Sequence, residues 1–113
     1  MAVIERAARI VNPLGMHARP AAEFVKVASR FRSKVGVRRD DITVNGKSIM
    51  GVMMLAAECG ATLFITTEGE DEAQAMEALL ALVGAGFKEM HYTGTEADEA
   101  VDAESSGDGS APA

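Results

Sequence analysis

The sequence holds one cysteine, Cys59, no tryptophan and a single tyrosine, and no apolar run in it approaches the roughly 20 residues that cross a bilayer. One thiol rules out an internal disulfide and leaves a cysteine-based zinc site without ligands. Cys59 reads instead as a small apolar filler near a helix end. The opening residues, Met1-Ala2-Val3-Ile4-Glu5-Arg6, lack the basic start, apolar stretch and small-residue cleavage site of a secretory signal, so a cytoplasmic protein without membrane insertion is expected. Positive charge is not in surplus either. The formal charge is −6, and residues 93–113 account for all of it through Glu96, Asp98, Glu99, Asp102, Glu104 and Asp108, with no Lys or Arg among them. The other 92 residues balance 11 basic against 11 acidic side chains and carry no basic stripe interleaved with aromatics, which removes the electrostatic footing for nucleic-acid binding. A cluster of His, Cys and carboxylates at ligand spacing is also missing, as are a glycine-rich nucleotide loop and a localisable serine–histidine–acid set. Hydrolytic and metal enzymes therefore have little support, and no cofactor is implied.

What is present suits one domain. From Thr93 onward the chain is Gly, Ser, Ala, Asp and Glu with Pro112 near its end, and Val101 is its one sizeable apolar residue. Such a segment buries too little surface to offset the entropy of ordering, so residues 93–113 are expected to form a disordered acidic tail after a domain spanning 1–92. Within the domain the hydrophobic period changes repeatedly. Residues 3–11 predict a strand with Ile4, Ala8 and Ile10 on one face and Arg6 intruding. Residues 18–31 place Ala21, Phe24, Val25, Ala28 and Phe31 at helical spacing. Val35 and Val37, then Ile42 and Val44, predict a hairpin across Arg39-Asp40-Asp41. An apolar helix from Ile49 to Ala57 is expected to stop at Gly60, and Ala61, Leu63 and Ile65 alternate as a further strand. Ala73, Met76, Leu79, Leu80, Val83 and Phe87 form the last helical stripe, with Glu70, Asp71 and Glu72 in a first turn whose dipole favours anions. The order βαββαβα predicts an α+β domain with one sheet and helices on one face.

Chemistry concentrates at two helix starts. His17 follows the turn Asn12-Pro13-Leu14-Gly15-Met16 and opens the first helix, where backbone N–H groups lack helical partners and an anion such as a phosphoryl group is favoured. Arg19 adds a permanent cation with planar donors, and Pro20 is tolerated in the first turn. Neutral imidazole attacks phosphorus near neutral pH and forms a bond that a second nucleophile readily breaks. Most single histidines only cap or fill, and His91, with no basic residue adjacent, is given no role. Ser48, preceded by Lys47, is a favoured N-cap for the middle helix, and a phosphate there would be tolerated against the positive helix end. That helix is apolar on more than one face: Ile49, Val52 and Leu55 or Ala56 form one stripe, and Met50, Met53, Met54 and Ala57 another. A small domain cannot bury both, so an exposed methionine-rich patch is expected.

Gly15-Met16-His17-Ala18-Arg19-Pro20-Ala21-Ala22 and Asn45-Gly46-Lys47-Ser48-Ile49-Met50-Gly51-Val52-Met53 together resemble HPr, the histidine-containing phosphocarrier family of the bacterial sugar phosphotransferase system, over roughly residues 3–88. The resemblance implies an open-faced β-sandwich of four antiparallel strands under three helices. It implies that His17 accepts phosphate from Enzyme I and donates it to Enzyme IIA domains, assisted by Arg19, in a carrier with no turnover of its own. It also implies that Ser48 is the target of HPr kinase/phosphorylase, and that Met16, Ala21, Phe24, Lys47, Ile49, Met50, Gly51 and Met53 belong to the partner-binding region of a monomer. The acidic tail and Glu23 depart from the family pattern. A different class of reading is a regulatory binding module, like the nitrogen-related paralogue NPr or dependent on phosphorylated Ser48, that controls transcriptional regulators or metabolic enzymes without importing sugar.

Overall fold

The computed structural model describes residues 3–87; the acidic stretch 93–113, His91 and Tyr92 lie outside the described residues. The elements follow the expected order: β1 (Val3–Arg9), α1 (Ala18–Ala28), β2 (Lys34–Arg39), β3 (Ile42–Asn45), α2 (Ile49–Met54), β4 (Thr62–Glu68) and α3 (Glu72–Gly84). The four strands form one antiparallel sheet in the order β1-β4-β2-β3. Register puts Ala8 opposite Leu63, and Val35 and Val37 opposite Thr67 and Ile65, so one face carries the apolar alternation. On that face the sheet packs beneath the three helices in an open-faced sandwich. Phe24, Ile10, Leu63, Ile65, Leu79, Val37 and Val52 are fully buried between the layers. The other face carries Glu5, Phe64 and Arg38, whose guanidinium lies 4.4 Å from the Phe64 ring centroid and 3.7 Å from the Glu5 carboxylate. Arg6 sits on the core-facing side of the edge strand β1 but stays exposed, its guanidinium turned to the Glu5 carbonyl at 2.9 Å.

Five expectations need correction. The middle helix ends at Met54 rather than Ala57, because Ala56 takes a left-handed conformation (φ 49°) and the Arg39 guanidinium binds the carbonyls of Leu55 and Ala56 at 3.1 and 2.7 Å. Gly60 belongs to the turn that leads into β4, where its amide meets the Ile10 carbonyl at 2.7 Å. In α3 the buried stripe is Ala75, Met76, Leu79 and Val83, while Ala73 is exposed, since the helix starts only at Glu72 and the stripe is set by contact with β1 and β4. Asp71 precedes that helix and makes no side-chain cap. Its carboxylate instead accepts bonds from the Arg32 and Ser33 amides, each at 2.9 Å, and from the Ser33 hydroxyl. The Ser33 hydroxyl, followed by the Arg32 amide, holds the Asp71 carboxyl below the usual carboxylate range. This clasp ties the start of α3 to the chain just beyond the end of α1. Cys59, finally, is exposed rather than a filler.

Candidate phosphoacceptor site

The site grows out of the connection from β1 to α1. Asn12 is buried and its side-chain amide donates to the Gly15 carbonyl at 2.8 Å, closing a turn in which the Gly15 amide also meets the Asn12 carbonyl at 3.1 Å. Gly15 has φ 73°, and a Cβ there would stand 2.6 Å from the Ala57 carbonyl oxygen and 2.9 Å from the Glu58 Cα. Glycine is thus required twice, for its backbone conformation and for the close approach of the loop after α2. That approach is fastened by a bond of 2.7 Å from the Met16 amide to the Ala57 carbonyl. Arg39, by holding Leu55, Ala56 and, at 2.7 Å, Glu58, anchors the same loop to the sheet. The Glu58 carboxyl lies below its ordinary pKa, first through its own backbone amide and then through Arg39.

His17 comes next, half-buried, as the N-cap residue of α1 with an extended backbone (φ −91°, ψ −167°). Its carbonyl accepts the first helical bond, from the Ala21 amide at 3.0 Å, and its side chain does not cap the helix. The imidazole is therefore not committed to closing the helix end. The amides of Ala18 and Arg19 precede that first helical bond, and Pro20 brings no donor, so the positive end of the α1 dipole lies at His17. The Arg19 side chain is exposed on the first turn.

Ser48 caps α2 as expected, its hydroxyl oxygen accepting from the Gly51 amide at 3.1 Å. The Lys47 ammonium donates to the Phe31 carbonyl at 2.7 Å, which joins the start of α2 to the end of α1. Because Met16 meets Ala57 at the opposite end, α1 and α2 run antiparallel, with His17 and Ser48 at opposite ends of the pair. Between them lies an apolar surface on which Met50 is 75%, Met54 70%, Ile49 44% and Met53 40% exposed. Val52, Leu55 and Ala57 enter the core, so Ile49 and Ala57 exchange the faces expected of them. Met16, Ala21 and Phe24, expected in the partner-binding region, are instead buried in the core. Lys47 is half-buried and engaged by Phe31. Sequence reasoning passed over Leu14, exposed on the loop before His17, along with the roles of Asn12 and Arg39. An exposed leucine in an Asn-Pro turn was the available signal for the first; nothing in the sequence pointed to Arg39.

A family model described as the PTS HPr component phosphorylation site matches residues 4–85. The phosphocarrier protein HPr of Neisseria meningitidis serogroup A is 47% identical over 87 residues, covering 77% of this chain and 98% of that protein. Among solved structures, an HPr from Thermoanaerobacter tengcongensis superposes with a TM-score of 0.73 at 44% identity, covering 75% of this chain and 96% of that one. An HPr dimer from the same organism matches with a TM-score of 0.61 at 46% identity, over 70% and 91% of the respective chains.

Proposed function

The chain belongs to the HPr family of phosphocarriers of the phosphotransferase system, and from that premise we propose that His17 accepts a phosphoryl group from phosphorylated Enzyme I and passes it to Enzyme IIA domains. The observation that carries this reading is an imidazole at the positive end of α1 that does not cap its own helix. An imidazole nitrogen lone pair attacks phosphorus; a P–N bond forms at His17 as the bond to the donor breaks, and that electron pair leaves with the donor atom. The α1 dipole and Arg19 stabilise the phosphoryl oxygens, and the acceptor then repeats the step in reverse. Both steps borrow partner residues, so the chain is a carrier without independent turnover. Partners dock on the Ile49, Met50 and Met53 surface beside Gly51, and sulfur-rich flexible side chains suit successive partners of different shape.

Ser48 is the regulatory position, a target for HPr kinase/phosphorylase. A phosphate there keeps an acceptor oxygen at the α2 N-terminus and adds about −1.5 to −2 charges at the rim of the docking surface. It weakens association with an acidic partner surface without reaching His17. The domain runs through Tyr92, the tail from 93 to 113 contributes nothing to folding, and the protein works as a cytoplasmic monomer; light scattering that gives a dimer mass, as in the dimeric relative, would correct the last point. The transfer reading is tested by labelling the chain with Enzyme I and radioactive phosphoenolpyruvate, removing Enzyme I, and adding an Enzyme IIA domain. Label is expected to move to Enzyme IIA from the wild type, and His17→Ala is expected to take none. Label that stays on the chain favours a regulatory module that docks to transcriptional regulators or metabolic enzymes.

A further inference from the structure

We propose that Arg39 is a positioning residue for phosphoryl transfer: from the end of β2 its guanidinium fixes the loop after α2, and that loop sets the backbone that presents His17. This rests on the reading of His17 as the phosphoacceptor. Arg39 follows Val35 and Val37 on the core-facing side of β2, half-buried at the rim of the sandwich. Its side chain makes three bonds to one loop. Nη1 donates to the Leu55 and Ala56 carbonyls at 3.1 and 2.7 Å, and Nη2 meets the Glu58 carboxylate at 2.7 Å. The planar fork of a guanidinium aims its donors in fixed directions, which the compact ammonium of a lysine does not reproduce.

Two left-handed residues stand where this loop backs the phosphoacceptor segment. Ala56 has φ 49°, a conformation that alanine keeps only when its surroundings hold it, and Arg39 binds that residue's own carbonyl. The next carbonyl, of Ala57, accepts the Met16 amide at 2.7 Å and lies against Gly15, whose φ is 73°. The His17 amide in turn meets the Gly15 carbonyl at 3.0 Å. The path from the guanidinium to the site thus passes through Ala56, Ala57 and one hydrogen bond to Met16, the residue before His17. A shift of about 1 Å in Ala57 passes to Met16 and turns the imidazole relative to the first α1 amides, and a misplacement of that size can cost about a hundred-fold in rate. Phosphoryl transfer is sensitive to it because positioning carries much of its catalysis.

The fold and the docking surface rest on other bonds. Leu55 and Ala57 are buried in the core and the Gly60 amide meets the Ile10 carbonyl at 2.7 Å, so without Arg39 the loop keeps its course and loses only its fine alignment. The exposed Ile49, Met50 and Met53 lie earlier, on a helix whose start is held by the Ser48 cap and by Lys47 on Phe31. Loss of Arg39 therefore acts on the presentation of His17 and leaves docking as it is. Glu58 is the smaller part of the anchor, because its carboxylate is exposed and its ion pair with Arg39 is weak.

The test measures phosphorylation by Enzyme I of the full chain and of its Arg39→Met, Arg39→Lys, Glu58→Gln and Asp71→Asn variants. Asp71→Asn is the structural control, since it weakens a clasp of three bonds beyond the other end of α1. Arg39→Met is expected to lower kcat about ten-fold with KM within about two-fold of the wild type, and Arg39→Lys to lower kcat about three-fold. Glu58→Gln and Asp71→Asn are expected to change neither parameter by more than about two-fold. The Met16 amide is expected to exchange its hydrogen about ten-fold faster in Arg39→Met than in the wild type, and at the wild-type rate in Asp71→Asn. An Arg39→Met chain with the wild-type kcat, or an Arg39→Lys chain with it where Arg39→Met does not fold, overturns the proposal. An equal loss of kcat in Asp71→Asn overturns it as well, by marking a general effect of stability. So does a KM that rises while kcat holds, which assigns Arg39 to the docking surface. If the wild type itself accepts no phosphate, the carrier reading fails, while the Met16 exchange rates still decide whether Arg39 holds the loop.

Discussion

Gly15→Ala puts the architecture of the site loop to a quantitative trial. Alanine at φ 73° carries a left-handed penalty of about 1–2 kcal/mol. Its methyl would also stand 2.6 Å from the Ala57 oxygen and 2.9 Å from the Glu58 Cα, both backbone atoms in a loop that Arg39 holds to the sheet. To relieve that contact the two loops must part, which breaks the bond from Met16 to Ala57 and leaves groups at a buried position without partners, a further 1–3 kcal/mol or about that. The sum is about 2–5 kcal/mol. Two other glycines separate the contributions. Gly60 has φ 95° with nothing within 4 Å of its virtual Cβ, so Gly60→Ala reports the backbone penalty alone. Gly84 lies at the end of α3 with open space around it, so Gly84→Ala is expected to be neutral or to stabilise by up to about 1 kcal/mol. Thermal melts resolve these differences, because 1 kcal/mol moves the midpoint of a domain this size by about 4–8 °C. Gly15→Ala should melt lowest and accept phosphate more slowly than Gly60→Ala even where both are folded. If Gly15→Ala and Gly60→Ala melt together, the close packing of the two loops does not matter and the account of the site loop is wrong.

Ser48→Ala removes the bond to the Gly51 amide and should lower stability by about 1 kcal/mol. Ser48→Asp should recover most of that loss yet weaken transfer to partners; equal transfer by both variants would argue against an electrostatic switch. Met50→Ser, at a side chain 75% exposed, should leave stability within about 0.5 kcal/mol of the wild type and raise the apparent KM for Enzyme I several-fold, and an unchanged KM would move the docking surface elsewhere. The depressed pKa of Asp71 in the folded state means that the unfolded chain binds the proton more tightly. Its clasp to Ser33 and Arg32 thus contributes fully above the ordinary Asp value near 4 and is lost as pH falls below it. Asp71→Asn should flatten the stability–pH profile in that acid range, and a profile parallel to the wild type would contradict this.

Much of this fold can be read from local periodicity. The alternation at Val35, Val37, Leu63 and Ile65 and the helical spacing at Ala21, Phe24 and Ala28 both survive into buried faces, because burial itself imposes those periods. Legibility ends where a tertiary partner overrides local preference. Helix α2 stops before its apolar run does, where Ala56 turns left-handed and a guanidinium from β2 binds the carbonyls of Leu55 and Ala56. Asp71 looked like a first-turn carboxylate, but amides and a hydroxyl 38 and 39 residues earlier claim it. His17 and Ser48 were recognisable because a helix start is written in adjacent residues. The burial of Met16, beside the site in sequence, was not, since nothing local distinguishes a methionine facing a partner from one packed under the loop.

The central claim is that one imidazole, His17, carries the transferable phosphate. Its most direct test is to phosphorylate the full chain with Enzyme I and phosphoenolpyruvate and map the acid-labile phosphate by tandem mass spectrometry at neutral pH. A single phosphate on His17, absent from His17→Ala, is the expected result. Phosphate on His91, or an unmodified chain under conditions where another HPr is fully labelled, would contradict the account.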